Sequence, residues 1–277
     1  MFATLLGPLP RPPLPDDAAP EALLDAALAV QAEHGLEPLT TAGWGDWSAA
    51  THRTDRLVKG VVAGPVSSRR STEKVRDEIA GLADAGCPWI EVHEWVPDLR
   101  LAEPDAPARF AAAHVAATDG LDGVHLSLAL LGGNADALGS AAVFAAGYAS
   151  LAVDLIAGPD NWRLVVAAPS DRGIVAGALS VHVPADDGPE VLIWAARYAA
   201  STAGRGEARV GLATAGSLAD LTWDAAVRKV ERLGSAARLV TASPEEGRAA
   251  VDPRALDIRS AALGRVRKPR TPGDPTP

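Results

Sequence analysis

An alternation constrains this chain more than any other feature. Short β-rich runs and longer, Ala-rich runs of helical period follow one another along its 277 residues. Eight runs read as strands, at residues 4–7, 37–41, 58–64, 89–94, 123–129, 151–156, 174–181 and 209–214. Helical runs fall between them, at 20–34, 71–85, 105–118, 135–148, 189–202 and 222–239. In the last of these, Trp223, Ala226, Val227, Val230 and Leu233 recur on one face, Arg228, Lys229 and Arg232 fall elsewhere, and Thr222 is placed to cap the start. Runs such as Val58-Lys59-Gly60-Val61-Val62-Ala63 and Leu151-Ala152-Val153-Asp154-Leu155-Ile156 are almost continuously apolar. Burial on both faces selects that composition, as in parallel strands covered by helices. Eight such units in about 240 residues predict a single α/β domain, a (β/α)8 TIM barrel, in preference to an open doubly wound sheet.

The barrel is expected to occupy residues 1–242. Residues 243–277 carry no strong period and end Arg-Val-Arg-Lys-Pro-Arg-Thr-Pro-Gly-Asp-Pro-Thr-Pro. They read as a largely disordered C-terminal extension, with a short helix near 253–263 and cations able to touch an acidic partner.

Charge and cysteine usage narrow the function classes. A net charge of −9 argues against a general nucleic-acid binder, which needs clustered cations. It still allows a local cationic pocket for an anionic small molecule. One cysteine, Cys87, permits neither an intrachain disulfide nor a Cys-rich zinc module. The chain opens without the charged start and apolar run of a signal peptide, and no apolar stretch reaches the ~20 residues of a membrane span. The expectation is a cytoplasmic protein acting on a small molecule, with neither nucleic acid nor membrane as partner.

In a barrel, polar residues at strand C-termini are the ones to suspect. Here they are Thr41 with Trp44 and Trp47, Ser67 and Arg69, His93 and Glu94, His125 and Ser127, Asp154, Ser180 and His182, and Thr214. Trp44 and Trp47 could wall a planar ligand or pack as a lid on the rim. Ser67 and Arg69, opening a helix, suit an anion such as a carboxylate, or an exposed helix start. His93 and Glu94 are adjacent, so on a strand only one of them faces the lumen. Rossmann, P-loop and Gly-x-Ser-x-Gly patterns do not occur in the sequence.

Several of these segments, taken in order, are similar to the catalytic barrel of the cobalamin-independent methionine synthase family. Leu6-Gly7-Pro8-Leu9-Pro10-Arg11 resembles that family's Gly-Ser-Phe-Pro-Arg opening, and Lys59-Gly60-Val61-Val62-Ala63-Gly64-Pro65-Val66 resembles its Lys…Gly-Pro-Val-Thr strand. Ile90-Glu91-Val92-His93-Glu94 stands where the family has Ile-Gln-Ile-Asp-Glu, and His125-Leu126-Ser127 where it has His-x-Cys. Ser180-Val181-His182-Val183-Pro184 resembles Asp-Ile-His-Ser-Pro, and Ala215-Gly216 falls at the final Cys-Gly. The loop Gly43-Trp44-Gly45-Asp46-Trp47 replaces an Asp-Gly-Glu segment that the family uses near substrate.

The resemblance implies a methyl or alkyl transfer to a small thiol held as thiolate on zinc, with a folate as possible methyl donor. Its zinc ligands (His, Cys, Glu, Cys) fall here on His125, Ser127, Asp154 and Ala215, so that His125 and, as a substitute carboxylate, Asp154 carry the expectation of a metal. His182 falls at its proton-handling histidine. A site remodelled on His125, Asp154 and either His93 or Glu94 is one outcome. A metal-free lyase, isomerase or hydrolase using His93, Glu94, Asp154 and His182 as acids and bases is another. A degenerate barrel that only binds a ligand is a third.

Overall fold

The computed structural model describes residues 1–182 and 188–242. Seven strands alternate with helices: β1 (Phe2–Thr4), α1 (Pro20–Glu33), α2 (Trp47–Thr51), β2 (Gly60–Ala63), α3 (Thr72–Asp84), β3 (Trp89–Trp95), α4 (Ala106–Thr118), β4 (His125–Leu131), α5 (Ser140–Val143), β5 (Ser150–Asp154), α6 (Trp162–Ala167), β6 (Gly173–Leu179), α7 (Pro189–Ser201), β7 (Val210–Thr214) and α8 (Trp223–Thr241). All seven strands pair in parallel, in the order β1-β7-β6-β5-β4-β3-β2.

That sheet has two edges, β1 and β2, and the segment expected as the second strand touches both. Glu37 bridges Ala3 in antiparallel sense and Leu39 bridges Val58 in parallel sense, but residues 37–41 form no strand. The eight-stranded barrel expected from the sequence is therefore corrected to a seven-stranded curled sheet whose edges are joined by a short linker. Pro38 supplies the reason: it has no N–H to give a ladder. Side chains hold the segment instead. Thr4 Oγ1 donates to the Pro38 carbonyl at 2.8 Å, and the Gln31 amide both donates to and accepts from the Thr40 backbone.

The sheet separates two apolar layers. Alternate residues on the concave face, Leu6, Ala129, Leu131, Ala152, Val175 and Ala213, form a small inner cluster joined by Phe2. The opposite residues pack with the helices into the main core, for example Ile90, Val92, Leu128, Val153 and Ile174 with Val75, Ile79, Leu192 and Val230. Local sequence signals fix helix starts: Ser71 Oγ accepts from the Lys74 N–H, and Thr222 accepts from Ala225 N–H. The long helix expected over 135–148 is replaced by a 3-10 turn and the four-residue α5. Among the described residues, no helix is long and apolar enough to cross a membrane.

Candidate active site on the concave face

Strand register assigns each candidate side chain to a face. Glu91 pairs with Ser127, His93 with Ala129 and Trp95 with Leu131. Ala129 and Leu131 belong to the inner cluster, so Glu91, His93 and Trp95 look into the concave face, as do Val61 and Ala63, the partners of Glu91 and His93 on β2. This face is open at its C-terminal end, where Trp95 is 51% exposed, and along the edge strand β2, where Val61 is 45% exposed. Below that opening lies a buried row of charge. Lys59 Nζ donates to Glu91 Oε1 at 2.7 Å, and both side chains are fully buried. The same oxygen lies 2.7 Å from His93 Nε2, and the His93 side chain is 20% exposed.

The charges in this row follow from their neighbours. Burial alone would raise the Glu91 carboxyl, but the Lys59 ammonium and the His93 hydrogen bond overcome it and hold the group at about 2. Burial pulls the Lys59 ammonium below its ordinary value, against the pull of Glu91. Glu91 is therefore an acceptor only, so His93 Nε2 must donate to it, leaving Nδ1 as the ring nitrogen free of this bond. Among the described residues, Glu91 Oε2, Ser127 Oγ and Trp89 Nε1 are buried on the same inner wall without a protein partner. They leave hydrogen-bonding capacity inside the sheet.

Glu94 looks the other way. Its carboxylate accepts from the backbone N–H groups of Val66, at 2.9 Å, and Ser67, at 2.6 Å, and from His114 Nε2 of α4 at 3.0 Å. Tyr148 O–H in turn lies 2.7 Å from His114 Nδ1. Burial would raise Glu94, but the His114 contact, followed by those to Ser67 and Val66, keeps it below the usual carboxylate range. A Cβ on Gly64 would come within 2.4 Å of this carboxylate. Glu94 thus pins the loop after β2 to α4, on the convex side from His93.

The remaining candidates spread over the molecule. Asp154, at the end of β5, accepts from the N–H groups of Ile156, Ala157 and Gly132; burial raises its carboxyl against those bonds and the charge of His182. His182 is exposed and described, whereas Val183 and Pro184 of its motif lie outside the described residues. His125 begins β4 at the opposite, N-terminal end of the sheet, where its Nε2 lies 2.8 Å from Ser150 Oγ. Trp44 Nε1 donates to the Leu9 carbonyl and Trp47 Nε1 to that of Val58, and both rings pack on the main core. Ser67 Oγ accepts from Trp95 N–H. Arg69 lines a surface pocket of about 290 Å³ with Arg100, Arg109 and Asp98, where Glu103 and Asp105 already engage Arg109.

These positions test the zinc reading on donor chemistry. His125 and Asp154 stand at opposite ends of the sheet, Asp154 is engaged by three backbone amides, Ser127 is a hydroxyl, and Ala215 has no ligand atom. Cys87 donates to the Trp89 carbonyl beside Gly60, before β3. Among the described residues no group of three or more His, Cys, Asp or Glu side chains is arranged to hold a metal. The residues present do not fit the family's metal.

Sequence reasoning passed over Lys59 and Glu91 as site residues. The one signal that could have found them was two charged residues inside otherwise apolar strand runs, which a buried sheet tolerates only as partners.

The fold and this face define a parallel α/β protein of barrel-like architecture with a polar cluster on its concave side. No family model and no curated protein sequence matches the chain. Among solved structures it is similar to a B12-independent methionine synthase from Shewanella sp. W3-18-1, in complex with selenomethionine, at 13% identity and a TM-score of 0.69, covering 86% of this chain and 97% of that one. A protein from Listeria monocytogenes assigned as a vitamin-B12-independent methionine synthase matches at 11% identity and a TM-score of 0.66, over 88% and 100% of the two chains. An apo protein from Toxoplasma gondii ME49 assigned as a deoxyribose-phosphate aldolase matches at 14% and 0.53, over 86% and 94%. At these identities the likeness is one of fold.

Proposed function

We propose that the chain is an enzyme that moves protons on a small-molecule substrate at the C-terminal mouth of its concave face, with His93 as acid–base residue. The observation that carries this reading is the shared oxygen of Glu91, 2.7 Å from both Lys59 Nζ and His93 Nε2. A buried carboxylate that accepts from Nε2 fixes the tautomer and stabilises the imidazolium formed when Nδ1 takes a proton. Lys59 keeps that carboxylate ionised at every ordinary pH. Trp95, exposed beside His93 on the same face, offers a surface for an apolar or planar part of the substrate. His182 and Asp154, near one another at the ends of β6 and β5, are candidates for a second proton-handling pair.

Methyl or alkyl transfer to a zinc-held thiolate, the chemistry implied by the sequence resemblance, draws less support. Its ligand positions are divided between the two ends of the sheet, while the acid–base row is assembled in one place.

Deuterium uptake tests the proposal. A panel of small carbonyl acids, sugar phosphates and thiols is incubated with protein in D2O and followed by proton NMR. The proposal expects catalysed C–H exchange into one substrate class, unchanged by EDTA and reduced about 10²–10⁴-fold in a folded His93→Gln variant. Exchange lost with EDTA but retained in His93→Gln would overturn it. Tight ligand binding that survives both His93→Gln and His182→Ala, without exchange, would mark a binding protein instead.

A further inference from the structure

The opposite end of the sheet holds a cavity that the acid–base reading does not use. It has a volume of about 370 Å³, within the ~300–1,000 Å³ typical of small-molecule sites. Its floor is aromatic: Phe2 meets Trp89 edge to face at 5.4 Å, and the His125 ring leans on Trp89 at 4.0 Å. Gly173 lines the wall with no side chain to fill it, and a Cβ there would come within 3.0 Å of Ser150 Cβ. Asp171, Ala208 and Arg209 form the rim, all three exposed.

Each wall group has a definite chemistry. His125 is depressed by burial, against a weaker opposing pull from Glu91, so the ring is neutral near pH 7. Its Nε2 is engaged by Ser150, and its Nδ1 has no hydrogen-bond partner among the described residues. The Arg209 guanidinium is held over the rim by one bond to the Ser170 carbonyl, through Nη1. A flat aromatic floor, one uncharged polar nitrogen beside it and, at a mouth that also carries the Asp171 carboxylate, the Arg209 cation complement a ring whose anionic group lies on the edge facing Arg209.

We propose that this N-terminal cavity is a second binding site, separate from the His93 site, for small planar aromatic carboxylates. The ring lies against Trp89 and His125, and the carboxylate turns outward to Arg209.

Benzoate is the probe, with benzamide as its uncharged counterpart, titrated into 15N-labelled full-length protein. The indole signal of Trp89 is identified by its loss in Trp89→Phe. Benzoate is expected to move that signal saturably in the millimolar range while those of Trp162 and Trp194, on the outer helices, stay in place. Arg209→Gln is expected to weaken benzoate at least fivefold and to leave benzamide unchanged. Ala208→Trp, which plugs the mouth from an exposed position, is expected to abolish the shift with both probes, and His93→Gln to leave it intact. The absence of a saturable shift in the wild type, a shift that persists in Ala208→Trp, or equal weakening of both probes by Arg209→Gln overturns the proposal.

Discussion

Glu91 Oε1 lies 2.7 Å from Lys59 Nζ, and neither side chain reaches solvent. The pair joins the residue just before β2 to β3, and His93 is bonded to the same carboxylate oxygen.

Removing one partner leaves a charge buried without compensation. Lys59→Met is expected to destabilise the protein by about 3–5 kcal/mol in urea unfolding, with Lys59→Met/Glu91→Leu recovering most of that loss. A double variant as unstable as the single one would show that packing, not charge, sets the cost.

Stability should also fall in acid. Glu91 is held at about 2 in the folded protein, against roughly 4.3 for an unfolded carboxylate. The folded state thus binds the proton less tightly, so the stabilisation is complete above about pH 4–5 and is lost as pH falls towards 2. Its size is on the order of 3 kcal/mol. Chemical unfolding at steps from pH 5.5 to 2.5 checks this, and Glu91→Gln should flatten the part of the slope that belongs to this residue.

The Glu94 cluster carries a steric prediction. A methyl at position 64 would meet the Glu94 carboxylate at 2.4 Å, so Gly64→Ala is expected to cost about 1–3 kcal/mol. In a Glu94→Ala background the same change should cost less than half as much. Thermal unfolding of the four proteins measures the coupling.

His125 offers a separate check on the metal question. Because it bonds Ser150 at the N-terminal end of the sheet, His125→Ala should leave the zinc content of the purified protein unchanged and cost about 1 kcal/mol of stability. Stoichiometric zinc that disappears in this variant would restore the family's metal site.

Much of the fold was legible because parallel strands buried on both faces write their burial directly into composition. Six of the eight strand runs are where apolar period places them, and five of the six expected helices form. The first run is displaced, with β1 over Phe2–Thr4 against the expected 4–7. The run 37–41 sets Leu39 beside the β-branched Thr40 and Thr41, yet Pro38 leaves it only bridges to the two edges. Height along a strand was less legible. β4 runs over His125–Leu131, two residues beyond the expected 123–129. With a period of two, that shift keeps every residue on its face but moves it by roughly 6–7 Å along the strand. It is enough to place His125 at the far end from Asp154.

By itself, then, the sequence determined the class of fold and showed that His93 and Glu94 must part to opposite faces, since both follow from local periodicity. Only the tertiary structure decided which of them looks into the concave side, and that Lys59 and Glu91 meet beneath His93. Those facts depend on the register of β2 against β3 and on which face the helices cover, and strand pairing between distant segments sets both.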